Sequence, residues 1–202
     1  MSTIKHGKNA DPNVWGPPLW DLLFTLAYKL PASEKKESLF ANIFRQLEYV
    51  LPCQHCRRSY IMYRKQVKVT KEYAQCPAEW LWVIHDMVNQ NLGKICINYE
   101  KLTEKHGVFT CLTHPLNVLD LFCVMHMVTK EEHLIDFVNT IVCACAECPG
   151  MVDLKHVFDE EGALRPDVDA SIYFWNVHNR LRKKHGMQTA DNYHSFWNTY
   201  EP

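Results

Sequence analysis

Hydrophobic side chains recur every three or four residues along most of the chain, which is the spacing of amphipathic helices. In the first half, Pro31 and Gly93 supply stop signals and Ser33 supplies a start signal. Trp15-Gly16-Pro17-Pro18 is typical of a turn that leads into the first helix. The predicted helices cover residues 19–30, 37–50, 54–66, 77–92 and 98–106.

The second half shows a similar arrangement. Apolar helices are expected over 116–128 and 134–142, the second leading into a CxCxxC cluster. The separation of Cys56 and His85 differs by one residue from that of Cys148 and His178. We therefore predict an all-α fold made by tandem duplication. The first half covers residues 12–110, and residues 111–202 are expected to pack against it as a degenerate copy, which would make an intrachain pseudo-dimer.

The composition is that of a globular protein, and it limits the classes of partner. Of 202 residues, 47% are hydrophobic and 22% charged, enough for one ample core or two small ones. The formal net charge of -1 and the pI near 6.8 argue against a nucleic-acid or anionic-membrane surface, because both need a basic excess. Glycine is scarce, and the Gly-rich loops of nucleotide-binding α/β folds are absent.

Targeting signals are not apparent. Residues 1–11 are polar, and no apolar run approaches the roughly 18 residues of a membrane span. We therefore expect no secretory signal, no membrane segment and a cytoplasmic location, with an intermembrane-space location as the alternative. Nine cysteines in such a chain favour metal binding or redox chemistry over structural stapling.

Cys53-Gln54-His55-Cys56 is the first candidate for chemistry. The two sulfurs stand one helical turn apart, between Leu51-Pro52 and an amphipathic run, so the pair is expected at a helix start. Unpaired backbone N–H groups and the positive end of the helix dipole there favour a thiolate over a thiol. Such a pair can cycle between dithiol and disulfide, although a CxxC also fits half a zinc site or a structural bridge.

The predicted fourth helix carries the second candidate. Leu81, His85 and Asn89 stand four residues apart and share one face, while Trp80 lies on the neighbouring face. One interpretation is a packed helix whose polar residues are satisfied in the core. The other is a cofactor face, where Trp and His stack on a flat ring, Asn89 binds its edge and Lys94 binds a pyrophosphate.

Three ordered motifs over about the first 95 residues carry a family resemblance. They are Trp-Gly-Pro-x-x-Trp at 15–20, Leu-Pro-Cys-x-x-Cys at 51–56, and Trp-x-x-x-x-His-x-x-Val-Asn-x-x-Leu-Gly-Lys at 80–94. In this order they resemble the Erv/ALR family of FAD-linked sulfhydryl oxidases, and the opening motif is most similar to members encoded by large DNA viruses. The resemblance implies a four-helix bundle plus a short fifth helix for residues 12–110. It also implies a thiol oxidase that makes disulfides in protein dithiols and passes the electrons through FAD to O2, giving H2O2.

The resemblance also implies roles for individual residues. Cys56 would lie nearer the flavin and attack its ring, while Cys53 would take electrons from the incoming dithiol. Cys96 and Cys111 are placed like the family's structural disulfide, at a shorter spacing than usual. The candidate FAD-binding residues are Trp15, Trp20, Phe24, Trp80, His85, Val88, Asn89 and Lys94.

Two residues depart from the family pattern. Phe24 stands where the family usually has a histidine, although a phenyl ring can still stack. Asp86 replaces the asparagine that normally follows the helix-four histidine. Its charge would oppose a phosphate-bearing ligand unless the side chain points away.

The second half has lost more of the pattern. Tyr173 stands where Trp80 would fall and Arg182 where Asn89 would, so the first half is the preferred FAD-binding half. The reverse assignment stays open, because His178-Asn179 keeps the dipeptide that the first half has lost.

The remaining cysteines have two interpretations. A mobile disulfide made from two of Cys143, Cys145 and Cys148 could relay electrons from substrate to the CxxC pair, as shuttle disulfides in the family do. Alternatively, Cys145 and Cys148 are a relic pair or a structural bridge. Cys76 and Cys123 are expected to be buried hydrophobic residues.

Two other functions compete with the oxidase. One is a zinc-binding structural module with a four-thiolate site made by Cys53, Cys56, Cys145 and Cys148. The other is a catalytically dead helical interaction protein.

For the oxidase, the expected partners are protein dithiols and O2. Because the family usually forms homodimers, we also expect two chains to pair. If the viral resemblance holds, the location would be the host cytoplasm or the virion.

Overall fold

The computed structural model describes residues 11–108, 114–148 and 150–200. All regular secondary structure in these ranges is helical, which confirms the all-α prediction. The N-terminal half (11–108) contains α1 Pro12–Lys29, α2 Glu34–Val50, α3 Gln54–Gln66, α4 Lys71–Gln75, α5 Pro77–Asn91, α6 Tyr99–Thr103 and a π-helical segment Glu104–Val108. The C-terminal half (114–200) contains α7 Pro115–His126, α8 Glu131–Cys145, α9 Val152–Glu161, α10 Ala170–Lys184 and α11 Tyr193–Asn198. The predicted domain boundary at 110–111 lies outside the described residues.

α1 begins earlier than predicted, and the expected turn at residues 15–18 is wrong. The carboxylate of Asp11 caps the helix by accepting a hydrogen bond from the backbone N–H of Asn13 at 2.9 Å. Pro12 occupies the first helical position, where its missing N–H costs nothing and its fixed φ suits the helix. Pro17 and Pro18 therefore lie inside α1, where each removes one backbone hydrogen bond.

The other predicted helices of the N-terminal half are confirmed with small shifts. Ser33 caps α2 by accepting the backbone N–H of Lys36 at 3.1 Å, so α2 begins before the predicted residue 37. α3 has the predicted bounds, and α5 starts at Pro77 as expected. The short α4 was not predicted, nor were α9 and α11 in the C-terminal half.

Trp80 joins α5 to both α2 and α3. Its side chain is fully buried, and its indole N–H donates to the carbonyl of Val67, just past the end of α3, at 3.0 Å. Its ring stacks on Phe44 of α2 with 4.1 Å between centroids, and Tyr60 of α3 meets its edge. Since α5 also packs against α1, α5 contacts or is joined through Trp80 to each of the other three long helices of the half.

The C-terminal half repeats the helix pairing of the N-terminal half. α7 packs on α10, α8 on α9 and α9 on α10, as α1 packs on α5, α2 on α3 and α3 on α5. Tyr173 is the fourth residue of α10, as Trp80 is of α5. Its hydroxyl donates to the carbonyl of Gly162, just past the end of α9, at 2.6 Å. Trp80 and Tyr173 thus make equivalent hydrogen bonds, each to a backbone carbonyl just past the end of α3 or α9.

The ends of α5 and α10 also match. Gly93 and Gly186 follow these helices with φ of 64° and 67°, a conformation that favours glycine. The backbone N–H of Lys94 then bonds the carbonyl of Asn89 at 2.8 Å, and that of Met187 bonds the carbonyl of Arg182 at 2.9 Å. The halves therefore share helix caps as well as helix order.

Equivalent helices meet where the two halves pack together. α1 lies on α7 and α2 on α8, the pattern expected of a self-complementary two-fold interface. α2 and α8 run antiparallel, because the start of each lies beside the end of the other. The contacts that show this are Lys35 with Glu147, Asn42 and Gln46 with Thr140, and the stacked rings of Tyr49 and His133.

One hydrophobic core runs through both halves, so we expect them to unfold together. Phe44→Ala in the N-terminal half and Phe174→Ala in the C-terminal half remove fully buried rings. Each should lower the free energy of unfolding by about 3–5 kcal/mol. Both should shift a single denaturant transition followed by circular dichroism, while Val152→Ala at an exposed site should change it little. Two separate transitions would contradict this expectation.

Candidate functional site

Cys53 and Cys56 lie at the start of α3, as predicted. Cys53 is the N-cap residue, and its sulfur accepts a hydrogen bond from the backbone N–H of Cys56 at 3.2 Å. Both residues are thiols in the structure. The helix start therefore presents an N–H group to one sulfur of the pair, which suits a sulfur that carries negative charge.

The expected gain in thiolate character does not extend to Cys56. Burial raises the pKa of the Cys56 thiol to about 12, and the adjoining Cys53 sulfur adds to the increase. The backbone N–H and Arg57 lower the pKa by less. Desolvation therefore outweighs the helix dipole at this position.

The exposure of the two sulfurs is the reverse of what their expected roles suggest. Cys53, expected to meet the incoming dithiol, is 3% exposed, whereas Cys56 is half-buried. A protein thiol therefore reaches the Cys53 sulfur only after local opening at the start of α3.

Trp20, Phe24 and His85 form one aromatic cluster between α1 and α5. The ring centroids of Trp20 and His85 are 4.6 Å apart in an edge-to-face arrangement, and Phe24 lies 6.0 Å from each of them. Asn89 is buried one turn along α5, with its amide nitrogen 3.4 Å from Nδ1 of His85. Trp20 and His85 are partly exposed, so the cluster has accessible ring surface.

Other candidate cofactor residues have different surroundings. Trp80 packs into the core of the bundle, against α2 and α3. Trp15 lines a cavity between the two halves and, five residues before Trp20, projects about 140° from it around α1. Val88 is half-buried on α5 beside Asn89.

Lys94 and Asp86 flank the cluster with opposite charges. Lys94 is exposed just past α5, with Nζ 3.5 Å from the side-chain oxygen of Asn13 at the start of α1. Asp86 accepts a hydrogen bond from Gln90 at 2.9 Å and also interacts with the Cys96 thiol. Its other carboxylate oxygen, Oδ1, is buried with no hydrogen-bond partner among the described residues, so the negative charge of Asp86 lies close to His85.

His106 is a site residue that the sequence did not reveal. It lies in the π-helical segment, 2% exposed, with its ring 5.3 Å from Phe24 and stacked on Tyr28. Its Nε2 is 3.6 Å from a carboxylate oxygen of Asp21, and its Nδ1 is buried with no partner among the described residues. No sequence signature marks a π-helical turn. Burial, helped by Lys105 and opposed by Asp21, lowers the pKa of His106 to about 4.

The side chains around this cluster fit a flavin nucleotide by their chemistry. Trp20 and His85 offer ring surface for stacking, and Asn89 offers a buried amide for the edge of a heteroaromatic ring. Lys94 offers a cation for a pyrophosphate, and the unpartnered Nδ1 of His106 offers one more buried polar atom behind Phe24. The site thus contains the kinds of group that the resemblance requires.

The C-terminal half has a related but different cluster. His178 of α10, 6% exposed, places Nε2 3.2 Å from a carboxylate oxygen of Asp120 on α7, and the Tyr200 hydroxyl donates to the same oxygen. His178 and Arg182 line a cavity of about 1120 Å³ between the halves, where His178 Nδ1 and Arg182 Nε have no partner among the described residues. Sequence reasoning identified His178 but missed Asp120, because a single aspartate on an apolar helix has no distinguishing pattern.

The CxCxxC cluster lies far from Cys53. Cys145 and Cys148 are buried and Cys143 is exposed, all beside the start of α2 because α8 is antiparallel to it. Cys53 follows the end of α2, whose 17 residues span about 25 Å. A relay to Cys53 within this arrangement would require the cluster to cross that length.

The four-thiolate zinc site is not assembled. Among residues 11–108, 114–148 and 150–200, no three His, Cys, Asp or Glu side chains converge so that they could hold a metal ion. The separation along α2 explains why the two CxxC pairs do not meet.

The other cysteines give mixed outcomes. Cys123 is fully buried, as expected, but Cys76 is exposed, so that expectation is wrong. Cys76 stands at the junction of α4 and α5, where no core face covers it. Cys96 is exposed, and its expected partner Cys111 lies outside the described residues.

No helix in the described ranges is long and apolar enough to cross a bilayer.

The raised pKa of Cys56 predicts slow alkylation of the reduced protein. At pH 8, a thiol with a pKa of about 12 has about a thousandth of the thiolate of a thiol with a pKa near 9. Iodoacetamide labelling followed by peptide mass spectrometry should therefore modify exposed Cys143 well before Cys56. Equal rates for the two cysteines would contradict this burial effect.

The lowered pKa of His106 predicts a loss of stability in acid. Between pH 6.5 and about 4, this histidine is protonated in the unfolded chain but stays neutral in the folded protein. The free energy of unfolding therefore falls as the pH falls. The slope of the unfolding free energy against pH is proportional to the number of protons taken up on unfolding. His106→Gln should reduce that number by up to about one in this window. His156→Gln, at an exposed site, is the control, and an unchanged slope in His106→Gln would contradict the prediction.

Comparisons with known proteins agree with the sequence motifs over the N-terminal half. The model of the Erv1 / Alr family matches residues 17–107, a little under half of the chain. Searches of curated proteins and of solved structures found no match. The matched segment contains α2, α3, α4 and α5, both cysteines of the CxxC pair and the Trp20–Phe24–His85 cluster.

Proposed function

We propose that the chain is an FAD-dependent thiol oxidase of the Erv/ALR family that forms disulfides in protein substrates. The observation that carries the proposal is the family match over residues 17–107, which includes both Cys53 and Cys56 and the aromatic cluster on α5. The helical fold of this segment is consistent with it, as the family is one of helical bundles.

The N-terminal half would hold FAD. Trp20 and His85 would stack on ring surface, Asn89 would bind a ring edge and Lys94 would pair with the pyrophosphate. Phe24 would act mainly by supporting His85, since it is 1% exposed. When bound, FAD accepts two electrons from a dithiol and passes them to O2.

The thiol chemistry would use Cys53 and Cys56 as a disulfide in the oxidised enzyme. A substrate thiolate attacks the Cys53 sulfur, forming a mixed disulfide and releasing Cys56 as a thiolate. The second substrate thiolate then attacks the substrate sulfur of that mixed disulfide and releases Cys53. The substrate leaves as a disulfide, and the enzyme pair, now a dithiol, holds the two electrons that O2 finally receives as H2O2.

Burial of Cys56 opposes its release as a thiolate. The raised pKa of its thiol makes Cys56 a poor leaving group, so the released sulfur takes up a proton. The N–H bond to Cys53 meanwhile stabilises negative charge on the sulfur that exchanges with substrate.

We further propose that the C-terminal half is a degenerate copy that supports the first half. A duplication is favoured by three features that the halves share: the helix pairing, the equivalent hydrogen bonds of Trp80 and Tyr173, and the glycine caps. His178 is engaged by Asp120, and Asn179 exchanges two hydrogen bonds with the backbone of Ala190. The retained His-Asn dipeptide therefore has structural partners of its own.

Several finer expectations stay predictions. They are the identity of the substrate proteins, the pairing of two chains, the cytoplasmic or virion location, the viral subtype and the Cys96–Cys111 disulfide.

Cys56→Ser should abolish turnover while FAD stays bound, because the residue that passes electrons to the cofactor is lost without removal of its binding side chains. Oxygen consumption with dithiothreitol and the visible spectrum of the purified variant measure the two effects. Cys76→Ser, at an exposed site outside the pair, should keep both properties. Oxidation of dithiothreitol by Cys56→Ser at the normal rate would refute the assignment.

A further inference from the structure

A basic segment of the chain begins at the CxxC pair. Residues 53–71 contain six of the 22 Lys and Arg residues and no Asp or Glu. Since the whole chain has a formal charge of -1, the other residues together carry -7. The segment that begins with Cys53 is therefore basic, whereas the other residues taken together have a negative net charge.

Two of the six cations are used within the fold. Arg64 forms an ion pair with Glu48 of α2, and Arg57 donates to the carbonyl of Leu51 at 2.6 Å. Both are partly buried, so they hold α3 against α2. Their charges do not require an external partner.

The other four cations face solvent. We call Arg58, Lys65, Lys68 and Lys71 the basic stripe; all four are exposed, and none forms an ion pair with another described residue. Arg58 and Lys65 stand two turns apart on one face of α3, with Met62, 53% exposed, between them. The structure therefore presents unpaired cations around an exposed apolar side chain.

The basic stripe begins at the redox pair. Arg58 follows Cys56 by two residues, and α3 carries the stripe about 15 Å away from the cysteines before Lys68 and Lys71 continue it. A protein whose thiol reaches the start of α3 must therefore bring its neighbouring surface close to these cations. Opposite charges at that distance speed encounter and exclude partners of like charge.

We propose that the basic stripe is the docking surface for the protein dithiol, and that the substrate carries acidic residues beside its reactive cysteines. The proposal rests on the thiol oxidase function for its setting and adds the substrate class. An acidic protein is favoured over a nucleic acid because the stripe adjoins thiol chemistry and the other residues taken together have a negative net charge.

The first test compares peptide substrates on the flavin-loaded, full-length chain. Three peptides share one pair of cysteines flanked by Glu, by Gln or by Lys. At low salt, kcat/KM from oxygen consumption should be at least about tenfold higher for the Glu peptide than for the Lys peptide. The difference should shrink as salt is raised, since exposed charges are screened. Equal values for the three peptides at low salt would overturn the proposal.

The second test uses a matched pair of variants. Arg58→Glu with Lys65→Glu should reduce kcat/KM for the Glu peptide at least about fivefold and leave dithiothreitol oxidation unchanged. Lys183→Glu with Lys184→Glu makes the same change of net charge at exposed sites at the end of α10 and should have no such effect. Equal losses in the two variants would show that net charge alone is responsible, contrary to the proposal.

A binding measurement separates the docking surface from the oxidase activity. Fluorescence anisotropy of a labelled Glu peptide with serines in place of its cysteines should report binding to the wild type and weaker binding to Arg58→Glu with Lys65→Glu. This result would support the docking surface even if dithiothreitol oxidation, and with it the oxidase function, were absent. A single-stranded oligonucleotide that binds at the stripe more tightly than the Glu peptide would overturn the proposal in favour of a nucleic-acid surface.

Discussion

The buried indole of Trp80 is the contact on which the geometry of the N-terminal half depends. One side chain stacks on α2 and donates a hydrogen bond to the backbone just past α3, so it fixes α5 against both helices. With α5 held there, His85 and Asn89 meet Trp20 and Phe24 of α1. Because α3 is held by the same contact, the CxxC pair at its start has a defined position relative to α5. The candidate site is therefore a consequence of core packing, since its parts lie on three separate helices.

The C-terminal half shows how the same framework accepts different chemistry. Tyr173 makes a hydrogen bond equivalent to that of Trp80, and the helix pairing is repeated. On that framework His178 meets a carboxylate from α7, whereas His85 meets a phenyl ring from α1. A carboxylate holds an imidazole by a hydrogen bond, whereas an aromatic neighbour leaves its nitrogen atoms to other partners. This difference favours the N-terminal half as the place for a flat cofactor.

Much of the helical fold could be predicted from sequence because amphipathic spacing and caps are local. Ser33, Pro77 and Gly93 act within one turn of where they stand, and the bounds of α2, α3 and α5 followed closely. The predicted start of α1 was wrong because Pro17 and Pro18 suggested a turn. The helix in fact begins at Pro12, where the Asp11 side chain caps it. The site was predictable where a motif names the residue, as for Cys53, Cys56 and His85. It was not predictable where position depends on packing: His106 lies in a π-helical turn, Cys56 loses its dipole advantage to burial, and antiparallel packing of α2 and α8 separates the two CxxC pairs.

A visible absorption spectrum of the purified protein, before and after anaerobic addition of dithiothreitol, tests whether the N-terminal half couples the CxxC pair to a bound flavin. We expect oxidised flavin bands at about 450 nm that bleach with the thiol and return when air is admitted. A protein without flavin bands, even after refolding with FAD, would show that the N-terminal half does not use a flavin.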